Sequence, residues 1–262
     1  MDLFYRKYGS GEQKIIILHG FMGQSDHWVP IGKKLAQNYT VYILDQRNHG
    51  QSFWDDDFSY LALAEDLHRF IKTHNINNPS IIGHSMGGKV LMQYLVQHPD
   101  FGINKPIVID ILPIDYSPNP DIKKMIDLGK NTDISQFSSR EEIGNYLEEN
   151  GIHSRFKKLI LKNISLKDGK FSWKINIAAM HQTFDSVFSG ISRDIIYPKE
   201  IYFIKGAESD LISQDGYDKT LKKFPKAQLL TIENAGHWLH IEKASTLVEL
   251  LIYILTRDDD IR

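Results

Sequence analysis

The chain has 262 residues, 42% of them hydrophobic, enough for one globular domain or a domain with an insertion. The formal net charge is -2, so there is no basic surplus to neutralise a phosphate backbone, and nucleic-acid binding is not expected. Cysteine is absent, which excludes disulfides, thiolate metal sites and cysteine nucleophiles. The first residues lack an apolar run of signal-peptide length, and no apolar run is long enough to span a bilayer. We therefore expect a cytoplasmic protein that does not enter membranes.

Short apolar runs rich in β-branched residues recur along the chain and predict strands. Nearly continuous runs of this kind are typical of parallel strands that are covered on both faces. Helix-like stretches alternate with them at residues 61–74, 86–97 and 243–256. The alternation favours an α/β fold, with a mostly parallel sheet and helices on both faces. The predicted strands lie at residues 15–18, 41–44, 80–82, 107–109, 201–204 and 229–232.

The strand–helix alternation stops after the fourth predicted strand and resumes at the fifth. The stretch between them carries charged segments with helical periodicity. We interpret residues 113–198 as a helical cap that is inserted into a core made of residues 1–112 and 199–262. Ligands of open α/β sheets bind at the carboxyl edge of the strands, so the cap should cover that edge. Three of its side chains are candidates for a substrate pocket: Trp173, Met180 and Phe184.

The sequence Gly-His-Ser-Met-Gly-Gly at residues 83–88 follows a predicted strand and opens a predicted helix. A G-x-S-x-G pattern in this context is typical of a nucleophile elbow, a tight turn that raises a serine hydroxyl above the sheet edge. Gly83 and Gly87 would allow the close approach of backbone that such a turn needs. The pattern predicts that Ser85 is a nucleophile.

A serine nucleophile needs N–H donors for the oxyanion of its tetrahedral intermediate. One such donor is expected from the residue after the nucleophile, here Met86. The other is expected from the loop after an early strand, where the sequence reads His-Gly-Phe-Met-Gly at residues 19–23. We therefore predict that the backbone N–H groups of Phe21 and Met86 form an oxyanion hole.

A general base is predicted at His237, which follows the last predicted strand and precedes the last helix. The chain has 11 histidines, so its position rather than its residue type singles it out. A histidine on that loop can reach over the sheet edge toward Ser85. The neighbouring Trp238 is a further candidate for the pocket. His240 lies one residue short of the spacing of a metal-binding helical pair, so no metal site is expected.

With these residues the chain resembles the α/β-hydrolase superfamily, and most of all the bacterial YbfF-type esterases. The motifs that carry the resemblance are His-Gly-Phe at residues 19–21, Arg-Asn-His-Gly at 47–50, Gly-His-Ser-Met-Gly-Gly-Lys at 83–89, Asp-Ile-Leu-Pro-Ile-Asp-Tyr at 110–116 and Gly-His-Trp at 236–238. The resemblance implies hydrolysis of acyl esters or acyl-CoA-like thioesters, without a metal or an organic cofactor. It also implies a small helical cap over the pocket.

The acid that orients His237 has two candidates at the ends of predicted strands, Asp110 and Asp210. Most α/β-hydrolases place the acid after the later strand, three residues beyond a glycine, and here that position is Ser209. A neutral hydroxyl cannot stabilise an imidazolium as a carboxylate does. The YbfF-type pattern also has a serine there, and its Asp-Ile-x-Pro motif favours Asp110 as the acid. Ser209 would then be an auxiliary hydrogen-bond partner.

The expected reaction is hydrolysis of a carboxylic ester or acyl thioester, a small molecule, through an acyl-enzyme on Ser85. Haloalkane dehalogenases and epoxide hydrolases need an aspartate at this position and are disfavoured. Carbon–carbon bond hydrolases, lactonases, cofactor-free haloperoxidases and menaquinone-pathway synthases keep a serine, so they remain alternatives. A ligand receptor built on a hydrolase scaffold is an alternative of a different class.

Overall fold

The computed structural model describes residues 2–191 and 196–257. Within these residues the strands, in chain order, are β1 (Tyr5–Tyr8), β2 (Lys14–Leu18), β3 (Thr40–Leu44), β4 (Ser80–His84), β5 (Pro106–Ile109), β6 (Ile164–Lys167), β7 (Lys170–Trp173), β8 (Ile201–Gly206) and β9 (Ala227–Ile232). A seven-stranded sheet has the order β1-β3-β2-β4-β5-β8-β9. β1 is antiparallel to β3, and all other neighbouring strands of this sheet are parallel.

The helices of the described residues lie between and after these strands. They are α1 (Val29–Leu35), α2 (Tyr60–Thr73), α3 (Met86–Gln97), α4 (Pro120–Asn131), α5 (Arg140–Glu149), α6 (Ser154–Lys162), α7 (Ile177–Gln182), α8 (Phe184–Phe188), α9 (Gln214–Lys223), α10 (Leu239–Glu242) and α11 (Ala244–Thr256). None of the helices in the described part of the chain has the length and apolar character needed to cross a membrane.

The sheet is covered by apolar side chains on both faces, because successive residues of a strand point to opposite sides. Ile15 and Ile17 of β2 belong to a buried cluster that includes residues of α1 and α11. Ile16 and Leu18 of the same strand belong to a second cluster, which includes residues of α2 and α3. The predicted fold class, a mostly parallel sheet with helices on both faces, is therefore confirmed.

The first strand, β1, escaped prediction because its sequence Tyr-Arg-Lys-Tyr is not an apolar run. It is an edge strand whose residues are half-buried or exposed, so polar side chains are tolerated there.

The stretch between β5 and β8 contains α4 to α8, but it also contains a β-hairpin that the sequence analysis did not anticipate. β6 and β7 pair antiparallel around Asp168 and Gly169, whose φ angles are 51° and 76°. Asp-Gly at two positive φ angles is a preferred hairpin turn, so this dipeptide was the available signal. The division of the chain into a core and a cap at residues 113 and 198 stays a prediction. Residues 1, 192–195 and 258–262 of those units lie outside the described residues.

Four adjacent parallel strands bring the candidate residues to one edge of the sheet. β4 ends at His84, β5 at Ile109 and β8 at Gly206, and β9 precedes the loop that carries His237. Because parallel strands end at the same edge, Ser85, Asp110 and Ser209 emerge side by side with that loop beside them.

Candidate active site

Ser85 occupies a strained turn between β4 and α3, with φ 52° and ψ −120°. The turn packs tightly against its neighbours: a Cβ on Gly83 would lie 2.3 Å from the carbonyl oxygen of Gly87, and one on Gly87 would lie 2.5 Å from that of Leu18. Glycine is therefore required at both positions. The neighbouring strand and helix hold Ser85 in this unfavourable backbone conformation, and Asp110, directly after β5, also has a positive φ angle, 53°.

A chain of hydrogen bonds links Ser85 to a buried carboxylate through His237. Nε2 of His237 lies 3.1 Å from Oγ of Ser85, and Nδ1 lies 2.8 Å from Oδ2 of Asp110. The Asp110 side chain is fully buried, whereas 22% of the His237 side chain is exposed. A carboxylate buried beside a partly accessible imidazole can fix the ring's orientation and its tautomer.

Asp110 is also held by two residues at and just after the end of β8, the strand beside β5. Ser209 donates its hydroxyl hydrogen to Oδ2 of Asp110 at 2.5 Å, and the backbone N–H of Gly206 donates to Oδ1 at 3.2 Å. Asp210, the other candidate acid, is exposed, and no hydrogen bond or ion pair between described residues joins it to His237. Of the two carboxylates, it is Asp110 that contacts the imidazole.

His84 is hydrogen-bonded to the backbone of His237. Its Nε2–H donates to the backbone carbonyl of His237 at 2.9 Å. Burial lowers the pKa of His84 to about 3, so the ring is neutral at ordinary pH. His84 therefore fixes the backbone of the His237 loop without adding a positive charge next to the imidazole.

The loop after β2 approaches Ser85 closely. A Cβ on Gly20 would lie 3.2 Å from the Cβ of Ser85. Phe21 and Met86 both line the cavity that contains Ser85. Among the described residues, neither of their backbone N–H groups donates a hydrogen bond within the protein. Both groups are thus available to a ligand atom beside Ser85.

Two buried histidines fix the shape of this loop. Nε2 of His49 accepts from the N–H of Met22 at 3.1 Å, and its Nδ1–H donates to the carbonyl of Arg47 at 2.9 Å. Burial holds the pKa of His49 well below its usual value, so it stays a neutral acceptor. His19 is buried beside it and accepts from the N–H of Gln46 at 3.0 Å. Neither of these two rings is among the residues that line the cavity.

Ser85 and His237 open onto a cavity of about 640 Å³. One part of its wall is apolar and comes from α4, α6 and α8: Ile122, Met125, Phe156, Leu159, Val187 and Phe188. Another part is polar or charged: Tyr60, Lys89, Tyr116, Glu208, Asp210 and Glu242. The cavity can therefore hold a substrate with both apolar and polar portions next to the serine hydroxyl.

The predicted pocket residues separate into two groups. Trp238 lines the cavity, but Trp173, Met180 and Phe184 do not. Met180 and Phe184 are buried in the hydrophobic core, and Trp173 packs next to Gly129 of α4. This corrects the prediction for these three residues, because their side chains stabilise the inserted segment itself instead of facing Ser85.

Sequence reasoning missed most polar residues of the cavity wall, among them Tyr60, Lys89 and Tyr116. A signal existed for Lys89, because it follows Ser85 by four residues at the start of a helix and so lies close to it. Tyr60 begins α2 and Tyr116 follows β5, and nothing in their local sequence indicates that they meet.

Within residues 2–191 and 196–257, no group of three histidine or acidic side chains is arranged to hold a metal ion. The expectation that the reaction needs no metal or cofactor stays an expectation.

This chain belongs to the α/β-hydrolase family and is an enzyme of the esterase and lipase type. A family model described as the alpha/beta hydrolase fold matches residues 14–101. A solved marine microorganism esterase is 39% identical, with a TM-score of 0.91, and the alignment covers 97% of this chain and 99% of that one. The predicted fold and family are confirmed.

Two further relatives match most of the chain. Esterase YbfF of Escherichia coli strain K12 is 29% identical over 240 residues, which cover 90% of this chain and 91% of that protein. The sn-1-specific diacylglycerol lipase ABHD11 of mouse is 28% identical over 251 residues, which cover 92% of this chain and 80% of the relative. The predicted resemblance to YbfF-type esterases is confirmed. The expectations about nucleic acid, membranes and the cytoplasm stay predictions.

Proposed function

We propose that this enzyme hydrolyses carboxylic esters of small molecules through an acyl-enzyme on Ser85. His237 is the base, and Asp110 is the carboxylate that orients His237. The observation that carries the proposal is the hydrogen-bonded series from Ser85 Oγ through His237 to Asp110, open to a cavity at its serine end. A serine hydroxyl is a weak nucleophile, and an adjacent oriented imidazole is what activates it.

In the first step, Ser85 Oγ forms a bond to the acyl carbon while its proton moves to Nε2 of His237. The carbonyl oxygen becomes an oxyanion and accepts hydrogen bonds from the N–H groups of Phe21 and Met86. When the tetrahedral intermediate collapses, the bond to the alcohol oxygen breaks. The alcohol leaves with the proton from His237, and the acyl group remains on Ser85.

In the second step, water attacks the acyl-enzyme. His237 takes a proton from the water, whose oxygen bonds to the acyl carbon. Collapse of this second intermediate breaks the bond to Ser85 Oγ, which regains a proton from His237. The carboxylic acid is released and the enzyme returns to its starting state.

Asp110 acts through His237 in both steps. Its carboxylate accepts from Nδ1–H, which leaves Nε2 free to accept the Ser85 proton, and its negative charge stabilises the imidazolium. The hydroxyl of Ser209 and the N–H of Gly206 hold the carboxylate in place. Ser209 is thus proposed as an auxiliary partner of the acid.

Charges around the cavity favour esters of neutral alcohols. Glu208, Asp210 and Glu242 line the cavity: the first two flank Ser209, and Glu242 ends α10, five residues after His237. The leaving group must lie near His237 to receive its proton. A leaving group with a negative charge at that position would meet these carboxylates and be repelled, whereas a neutral alcohol would not. The relatives named esterase and lipase support the same choice.

The test is covalent labelling combined with turnover of a chromogenic ester. We expect a fluorophosphonate to label Ser85, and Ser85→Ala to lose labelling and to lower kcat by about 10⁶-fold. Ser117→Ala is the matched control, because Ser117 also lines the cavity but lies outside the hydrogen-bonded series. Labelling at another residue, or wild-type turnover in folded Ser85→Ala, would refute the proposal.

A further inference from the structure

Lys89 is a buried lysine on the wall of the cavity that contains Ser85. It follows Ser85 by four residues, in the first turn of α3, and both residues line the cavity. Only 1% of the residue is exposed. Lysine is among the residues least often buried, because desolvating its ammonium group is costly unless the charge is paired.

The groups that surround the ammonium place it at the cavity. Nζ donates to the carbonyl oxygens of Phe188 and Ser189, at 3.1 and 2.5 Å. It also lies over the rings of Tyr116 and Tyr60, at 4.8 and 5.7 Å from their centroids. Phe188, Tyr116 and Tyr60 all line the cavity together with Lys89.

The charge of Lys89 is not neutralised by these contacts. An ammonium group has three donors, and the two carbonyls accept only two of them. Among the described residues, no carboxylate forms an ion pair with Lys89. Burial lowers its pKa to about 8, against the more distant charge of Asp115, so the ammonium form still predominates at pH 7.

The positive and negative charges on the cavity wall come from different elements of the fold. Glu208 and Asp210 flank Ser209, and Glu242 ends α10, five residues after His237; the leaving alcohol must lie near His237. Lys89 is held instead by the end of α8. The portion of an ester that points away from His237 is its acyl group.

We propose that Lys89 binds a carboxylate on the acyl portion of the substrate, so that the enzyme prefers monoesters of short dicarboxylic acids to neutral esters of the same size. This inference rests on the proposed ester hydrolysis and names its substrate class. Binding a carboxylate would satisfy the third donor and pair the buried charge. A charge-assisted hydrogen bond of this kind changes affinity by about 10- to 100-fold.

The experiment compares monoethyl succinate, glutarate and adipate with neutral ethyl esters in which an isopropyl group replaces the free carboxylate. Release of ethanol gives kcat/KM for each pair at pH 7. We expect wild type to prefer the anionic member of at least one pair by about 10- to 100-fold. Lys89→Met should bring that ratio close to one, and Lys89→Arg should keep it well above one. Lys123→Met is the matched control, because Lys123 lies outside the cavity and half of its side chain is exposed.

The ratio of kcat/KM between the anionic and the neutral ester distinguishes carboxylate binding by Lys89 from a general loss of activity. Loss of the two carbonyl contacts in Lys89→Met would lower both members of a pair equally and leave the ratio unchanged. A wild-type ratio of one or less in every pair, or a ratio that survives in Lys89→Met, would overturn the proposal. If Lys89→Met does not fold, the wild-type ratios decide. Failure of the ester-hydrolase proposal would instead appear as absent labelling of Ser85.

Discussion

Asp110 reaches His237 from the strand next to the one that usually supplies the acid in this fold. Ser209 stands at the usual position, after β8, and its hydroxyl donates to the same carboxylate oxygen that contacts His237. β5 and β8 are neighbouring parallel strands, so their carboxyl ends meet at one point of the sheet edge. A carboxylate from either strand can therefore approach the imidazole, and the residue at the other position becomes its partner.

Replacement of Asp110 by Asn should lower kcat by up to about 10⁴-fold, because the imidazole loses both its charge partner and its preferred tautomer. Asp210→Asn, which changes an exposed carboxylate on the same cavity, should alter kcat by less than about twofold. Initial rates with a chromogenic ester measure both, and circular dichroism checks that each variant is folded. A large loss in Asp210→Asn alone would reassign the acid, and equal partial losses would mean that the two carboxylates share the role.

At the scale of elements, the junction of β4 and α3 depends on how closely backbone segments approach. Gly83 lies in β4 and faces the carbonyl of Gly87, and Gly87 faces the carbonyl of Leu18 in β2. Both neighbours are backbone atoms of central elements, which cannot move aside as a flexible side chain would. The strand, the elbow and the helix are thus packed as one unit around the strained Ser85.

A methyl group at position 83 should disrupt this unit. We expect Gly83→Ala to lower the free energy of unfolding by about 3 kcal/mol or more, because its Cβ would lie 2.3 Å from a backbone oxygen. Gly144→Ala is the control: this glycine lies inside α5, its nearest neighbour would be 3.7 Å away, and alanine should stabilise the helix by up to about 1 kcal/mol. Urea unfolding measures both changes, and equal effects of the two substitutions would contradict the packing argument.

At the scale of the whole molecule, the segment between β5 and β8 is hydrogen-bonded to the loop beside Ser85. Nδ2 of Asn163, which is fully buried, donates to the carbonyl of Met22 at 2.8 Å. Nε2 of Gln24 donates to the carbonyl of Lys162 at 3.2 Å. Met22 follows Phe21, the proposed oxyanion donor. The position of the inserted segment and the shape of the oxyanion loop are therefore linked.

Asn163→Ala should affect both stability and turnover. Loss of the donor leaves the Met22 carbonyl unsatisfied, which should cost about 1 to 3 kcal/mol of stability. If the loop then loses its shape, kcat should fall by about 10-fold while KM stays nearly constant, since the oxyanion exists only in the transition state. Thermal unfolding and steady-state kinetics measure the two effects. Asn150→Ala, an exposed change in the same segment, should alter neither stability nor turnover. An unchanged kcat in Asn163→Ala would show that the oxyanion loop keeps its shape without the hydrogen bond from Asn163.

The sequence alone was sufficient for the features that depend on near neighbours in the chain. Apolar runs located six of the seven strands of the main sheet; five of these are almost fully buried, and a strand buried on both faces must be apolar throughout. The glycines around Ser85 and the single glycine before His237 marked two functional turns, because close backbone approach constrains residue type locally. The β6–β7 hairpin had such a signal in Asp168 and Gly169, but the surrounding helical periodicity concealed it.

Only the tertiary structure decided which distant side chains meet. Asp110 and Asp210 have equivalent positions in the sequence, and it is the adjacency of β5 and β8 that sets Asp110 beside His237. Trp173, Met180 and Phe184 looked like pocket residues because they are large and apolar, yet the same property buries Met180 and Phe184 in the core and packs Trp173 against it. The charge of Lys89 at the cavity depends on carbonyls about a hundred residues away. Contacts of this kind follow from the packing of whole elements, which no local pattern of residues encodes.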